Sequence, residues 1–410
     1  MSHRRTPPTR RLVIVLSAVC MVVSVLVGVA AFSLAQPAAP AGRRTENVVL
    51  VTLDGARTQE IFGGLDLDIL RSTLRSDARV EETRAYQRYW APTVEARRER
   101  LMPFFWSTLM TRHGSIAGNV ARGSSVRVTN RHRFSYPGYA EILVGEAHDD
   151  VIDSNDKRRN PYPTVLEFFR RRLGLDAPQV AAFASWDTFD WIVEHETGTI
   201  TSNAGFDRYD PPSPAAAASA RQALPSPAAA AQARDDATID LLNRLQTETL
   251  TPWDAARHDA YTFRFAMTHL KAFRPRVLYI AFDETDDWAH DGRYDRVLDS
   301  LHGIDDHLRE LWTALEGDAG YRDRTALVIT ADHGRGNTAA DWRDHGSRIA
   351  GAEQIWMAFA GPDWPVRGEW RDSEPIYQNQ VAATLAQALG LDYAGERPNA
   401  GRPIAKLLSR

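Results

Sequence analysis

Three strand-like runs constrain the fold of this chain more than any other feature. They are Asn47–Leu53, Arg276–Phe282 and Ala326–Ile329. Their apolar residues run on without alternation, as expected of strands whose two faces are both covered by helices. Each run ends in a polar loop. Asp54-Gly55 closes the first, Asp286 and His290 follow the second, and Thr330-Ala331-Asp332-His333-Gly334-Arg335-Gly336 follows the third. Buried parallel strands present ligands at their carboxyl ends. A carboxylate beside an imidazole offers one hard oxygen and one borderline nitrogen, a natural pair of metal ligands. Any one such loop reads equally well as a solvated turn; three together favour a shared site.

Helical patterns separate the runs. Thr164 and Glu167 stand at capping-box spacing ahead of a helix that stops at Gly174. Val297, Leu298, Leu301, Ile304, Leu308 and Leu311 fall on one face of a long helix ending at Gly317. Gln179 to Ser185 and Gln354 to Ala360 read as further strands. Strands alternating with helices predict an α/β fold, a mostly parallel sheet with helices on both faces.

The 410 residues suffice for one large α/β domain or two ordinary ones. A formal net charge of −4 supplies no basic field for nucleic acid. Cys20 is the sole cysteine, so disulfides are excluded and any zinc site must use histidines and carboxylates. Ser2 to Arg11 carries four arginines, Leu12 to Phe32 is almost wholly apolar, and Ser33-Leu34-Ala35 offers small residues. That order reads residues 1–35 as a signal peptide or N-terminal membrane anchor, which puts the body outside the cytoplasm. Residues 36–46 read as a linker, residues 47–410 as the folded body, and residues 211–233, rich in Pro, Ala and Ser, as a low-complexity surface insertion.

Asp286 and His290 are four apart, so one helical turn can aim both at a single ion, and His345 can complete the set. Asp332 and His333 are adjacent. In extended or turn geometry their side chains point apart, which makes room for a second ion with Asp54 as a further ligand. Ser135 precedes a short helical piece, where the helix dipole favours an anion; a capping serine is the plainer alternative. Two metals about 4 Å apart can bind the attacking and leaving oxygens of an in-line phosphoryl transfer.

The ordered set Asp54-Gly55, Ser135-Tyr136-Pro137-Gly138, Asp286…His290, Asp332-His333-Gly334 and His345-Gly346 resembles the alkaline phosphatase superfamily, in particular its type I phosphodiesterases and nucleotide pyrophosphatases. The resemblance runs from about Asn47 to Leu408. It implies a three-layer α/β/α sandwich with inserted cap segments. It implies two divalent ions, zinc first, with manganese or iron able to use the same donors: Asp286, His290 and His345 on one, Asp54, Asp332 and His333 on the other. Ser135 would be the covalent nucleophile of an exported hydrolase of small phosphate esters. A phosphomutase-like transferase and a non-catalytic metal-binding envelope protein are the alternatives. Gly138 departs from the family pattern, in which an Asn after the proline would contact the phosphoryl oxygen. Arg57, Asn130 and Arg133 are therefore candidates for substrate contact. The long stretch between Asp54 and Ser135 is expected to shape the pocket as a cap.

Overall fold

The computed structural model describes Met1 and residues 42–211, 236–372 and 374–408. The expected signal or anchor, Cys20 and nearly all of the low-complexity insertion lie outside these residues. Among the described residues no helix is long and apolar enough to cross a membrane. Gly42–Arg410 forms one compact unit.

The three runs become the centre of an eight-stranded sheet. β1 (Asn47–Leu53), β2 (Gly114–Ala117), β4 (Val180–Ala184), β5 (Thr201–Ala204), β6 (Val277–Phe282), β7 (Thr325–Thr330), β9 (Met357–Ala360) and β10 (Gly368–Glu369) are ordered β10-β2-β9-β7-β1-β6-β4-β5. From β7 to β5 every pairing is parallel, while β9 runs antiparallel to both β7 and β2. β3 (Val126–Arg127), β8 (Gln354–Ile355) and β11 (Ile376–Tyr377) make a separate small sheet.

Alternate residues of the same strand enter opposite cores, which is why the runs are apolar throughout. Val49, Val51, Leu53, Ile280 and Ile329 join one cluster with Ile61, Phe265, Leu298 and Leu301. Val48, Leu50, Tyr279 and Val328 join the other with Tyr139, Phe168, Val381 and Leu385. Each fully buried Leu, Ile or Phe contributes roughly 1.5–3 kcal/mol. The helices that supply these layers include α1 (Thr58–Gly63), α2 (Ser135–Val144), α3 (Asp259–Phe273), α4 (Glu284–His290), α5 (Tyr294–Gly317) and α6 (Val381–Ala388). The helix Val165–Leu173 carries the expected capping box.

The segment from Thr58 to His113 packs on the sheet. It buries Ile61, Phe62, Leu70, Leu101 and Phe105 against one face of the sheet, because those apolar residues need a core partner. At the start of the described stretch Thr45 donates its N–H to Asp363 Oδ2 at 2.8 Å, and Glu46 donates to the Arg324 carbonyl at 2.8 Å.

Candidate active site

Strand order alone assembles the site. β7, β1 and β6 are neighbours, so their carboxyl ends lie about one strand spacing apart, ~4.8 Å. Asp54 leaves β1, Asp332 and His333 leave β7, and Asp286 rides α4 just past β6. Asp54, Asp332 and His333 are all but fully buried.

His333 stands at the centre. Its Nδ1 faces the Gly334 carbonyl at 3.0 Å, which turns Nε2 inward. That Nε2 lies 3.4 Å from Asp54 Oδ1, 3.4 Å from Asp332 Oδ2 and 3.7 Å from Asp286 Oδ1. The adjacent Asp332 and His333 therefore converge rather than point apart. β7 ends at Thr330, so neither residue keeps extended strand geometry. His345 stacks on His333 with ring centres 4.0 Å apart, its Nδ1 facing the Arg133 carbonyl at 3.0 Å. His290, on the exposed rim, brings Nε2 to 3.0 Å from His345 Nε2 and 3.1 Å from Asp286 Oδ2.

This donor set suits divalent cations. Asp54, Asp332 and His333 form one group, and Asp286, His333 and His345 another, each with ligand atoms within 4.8 Å of one another. Asp54 Oδ1 and Asp332 Oδ2 are buried and have no hydrogen-bond partner. Their other oxygens are held, Asp54 Oδ2 by the Tyr139 hydroxyl at 2.9 Å and Asp332 Oδ1 by the Gly55 N–H at 3.0 Å. These two contacts aim one free oxygen of each carboxylate inward. Burial, then the charge of Asp54, pushes Asp332 up to about 8. Burial opposes protonation of His333, but Asp332 and Asp54 outweigh it and raise it to about 9. Burial, then the positive charge of His333, drives His345 far down.

Ser135 is the first residue of α2, not the residue before it, and Phe134 occupies the cap position. The serine is not a capping residue; its Oγ lies 3.4 Å from His333 Nε2. Gly138 explains how it gets there. A Cβ at that position would collide with the Asp332 carbonyl oxygen, so only glycine lets α2 approach the end of β7 this closely. The same contact leaves no room for an asparagine side chain.

The three candidates for substrate contact are turned elsewhere. Arg57 is buried against Glu60 and the Gly336 carbonyl. Asn130 spends its amide on Glu141 and its oxygen on the Arg133 N–H. Arg133 pairs with Glu353 at 3.1 Å. None lines the cavity of about 320 Å³ in front of Ser135. Two residues that sequence reasoning missed stand at the site. Asn155 lines the cavity, its Oδ1 accepting the Tyr136 N–H at 3.0 Å. An asparagine in a polar loop carries no signal of its own. Arg335, just past His333, is buried with its guanidinium on Asp286 Oδ1; a charged residue two positions past a candidate ligand was its one sequence cue.

The model of the family described as type I phosphodiesterase / nucleotide pyrophosphatase matches residues 181–388. The chain belongs to that family. The matched span holds Asp286, His290, Asp332, His333 and His345, while Asp54 and Ser135 lie upstream of it. No curated protein matches the chain. Among solved structures it is similar to the alkaline phosphatase PafA, at 11% identity and a TM-score of 0.53, over 90% of this chain and 100% of that one. It is also similar to a putative sulfatase from Bacteroides thetaiotaomicron, at 12% identity and a TM-score of 0.52, over 89% of this chain and 75% of that one. At these identities the likeness is one of fold, a mixed α/β architecture with a large, mostly parallel central sheet.

Proposed function

We propose that this protein is an exported two-metal hydrolase of phosphate esters that works through a covalent phosphoserine at Ser135. The observation that carries the reading is the serine hydroxyl, 3.4 Å from His333 Nε2, beside two buried carboxylate oxygens without partners. Asp54, Asp332 and His333 would hold one divalent ion, and Asp286, His290 and His345 the other, zinc being the natural choice for this donor set. Such ions supply Lewis-acid neutralisation of the phosphoryl oxygens and ease loss of the serine proton.

The chain's own residues do the rest. The N-terminus of α2 faces Ser135 toward the cavity and favours negative charge there. Asn155, its oxygen tied to the Tyr136 N–H, offers its amide hydrogens to a non-bridging phosphoryl oxygen. In the first step the Ser135 Oγ–P bond forms and the ester P–O bond breaks, releasing the alcohol. In the second, water forms a P–O bond and the Oγ–P bond breaks, restoring the serine. Export rests on the signal-like or anchor-like order of residues 1–35, with residues 47–410 as the catalytic domain.

Ser135→Ala tests the reading. Hydrolysis of an aryl phosphate diester with uncharged ester arms should fall by about 10⁴-fold or more, while metal content, measured by mass spectrometry of the dialysed protein, stays at the wild-type level. Unchanged turnover would remove Ser135 from its role and the covalent mechanism with it.

A further inference from the structure

The loop that carries Asn155 has little core beneath it. Residues 153 and 155–158 are exposed. Asp153, Ser154, Asp156 and Arg158 line a cavity of about 170 Å³ beside Tyr136 and Ile152. Arg158 Nη2 reaches Asp156 Oδ2 at 3.1 Å, Ser154 Oγ at 3.4 Å and Asp153 Oδ1 at 3.5 Å, which shapes the loop internally. An amide that must meet a phosphoryl oxygen needs more than shape, because a misplacement of about 1 Å is costly in rate. The loop has to be held against the site.

Two contacts hold it to the first turn of α2. Tyr136 donates its N–H to Asn155 Oδ1 at 3.0 Å and its hydroxyl to the Arg158 carbonyl at 2.6 Å. Both come from one residue, which leaves a pivot. Lys157 supplies a hold on the opposite side, where its Nζ pairs with Asp187 Oδ2 on the turn after β4. Asp187 is a fixed partner. Its N–H donates to the Ala255 carbonyl at 2.9 Å. Its side chain packs on Gly205, where a Cβ would stand 2.4 Å from the Asp187 Cβ. Lys157 and Asp187 are 49% and 28% exposed. Exposed pairs add little to stability, so the consequence of this one lies in where it puts the loop.

We propose that Lys157 is a positioning residue: its ion pair with Asp187 turns the pivot into a bridge and holds the Asn155 amide toward the phosphoryl oxygen. The proposal rests on the hydrolase reading and adds a residue to it. The first test is a double-mutant cycle on the zinc-loaded full-length protein, read as kcat/KM for bis(4-nitrophenyl) phosphate. Lys157→Met and Asp187→Asn should each lose about three- to fivefold, the size expected of an exposed ion pair, and Lys157→Arg should recover the loss. In an Asn155→Ala background Lys157→Met should cost nothing further, because the residue it positions is gone. The same loss in both backgrounds, or no loss in either, would overturn the proposal. The second test needs no turnover. Amide hydrogen exchange across residues 152–160 should be severalfold faster in Asp187→Asn than in wild type, whose loop sequence it shares, and unchanged exchange would overturn the clasp. Should the wild type hydrolyse no ester, the hydrolase reading fails and takes the catalytic part of the proposal with it, while the exchange rates still decide whether the pair holds the loop.

Discussion

Asp54 and Arg57 are three residues apart, and both are buried where the chain leaves β1. Their surroundings differ in one respect. Around Arg57 every charge is answered: its Nε donates to Glu60 Oε2 at 2.8 Å, a second nitrogen donates to the Gly336 carbonyl at 2.8 Å, and Glu60 Oε1 accepts the Tyr294 hydroxyl at 2.8 Å. Around Asp54 the acceptors outnumber the donors, and one oxygen each of Asp54 and Asp332 is left over. A buried cluster that serves the fold closes on itself. A cluster that serves a ligand leaves a deficit for the ligand to fill.

Breaking the closed cluster gives the largest stability effect. Arg57→Met leaves Glu60 buried with the Tyr294 hydroxyl as its remaining partner, and should cost about 3–5 kcal/mol. Denaturant unfolding should show the same loss in metal-loaded and chelated protein. A loss confined to the metal-loaded form would return Arg57 to the site, where sequence reasoning first put it.

A second closed group sharpens the comparison through pH. His269 on α3 is fully buried between the Tyr209 hydroxyl and the Pro178 carbonyl, each at 2.7 Å, and burial pulls its pKa down from 6.5 to about 4. The folded protein therefore favours the neutral ring. Its contribution is complete above pH 6.5 and is lost as pH falls toward 4, by about 3 kcal/mol at the bottom of that window. Thermal unfolding of His269→Gln should be flatter between pH 6.5 and 4 than that of the wild type. Parallel curves would mean that other groups carry the acid transition.

The open cluster was far more legible in the sequence than the closed ones. Asp54, Asp332 and His333 announce themselves because each follows a run of apolar residues whose only physical sense is a buried parallel strand. The order of those strands could not be read, yet any order that makes them neighbours gathers the same side chains. Arg57 and Glu60 sit one turn apart and show no sign of whether they face solvent, each other or a substrate. β9 was visible as a strand but not as antiparallel, since direction leaves no trace in apolar content. The two-residue strands β3, β8, β10 and β11 are too short for any period. Gly138 looked like a lost contact, when its role is to let two backbones meet. Asn155 depends on a single long-range hydrogen bond that no local pattern encodes.

The smallest expected effect separates the two kinds of cluster most sharply. Asp332→Asn keeps the shape of the side chain and its acceptor for the Gly55 N–H, while removing one charge from a site with two buried carboxylates in contact range of one imidazole. In chelated protein this should stabilise the fold by roughly 1–2 kcal/mol, because a desolvated charge without a cation is a cost. In metal-loaded wild type the sign reverses, since binding to the folded state adds stability in proportion to the logarithm of metal concentration, and the variant should forfeit that gain. The measurement is a pair of unfolding curves, with zinc and with chelator, for each protein. If Asp332→Asn weakens the chelated form as Arg57→Met does, the carboxylates at the end of β7 and β1 are part of the scaffold, and the distinction between open and closed clusters fails at the place where it was drawn.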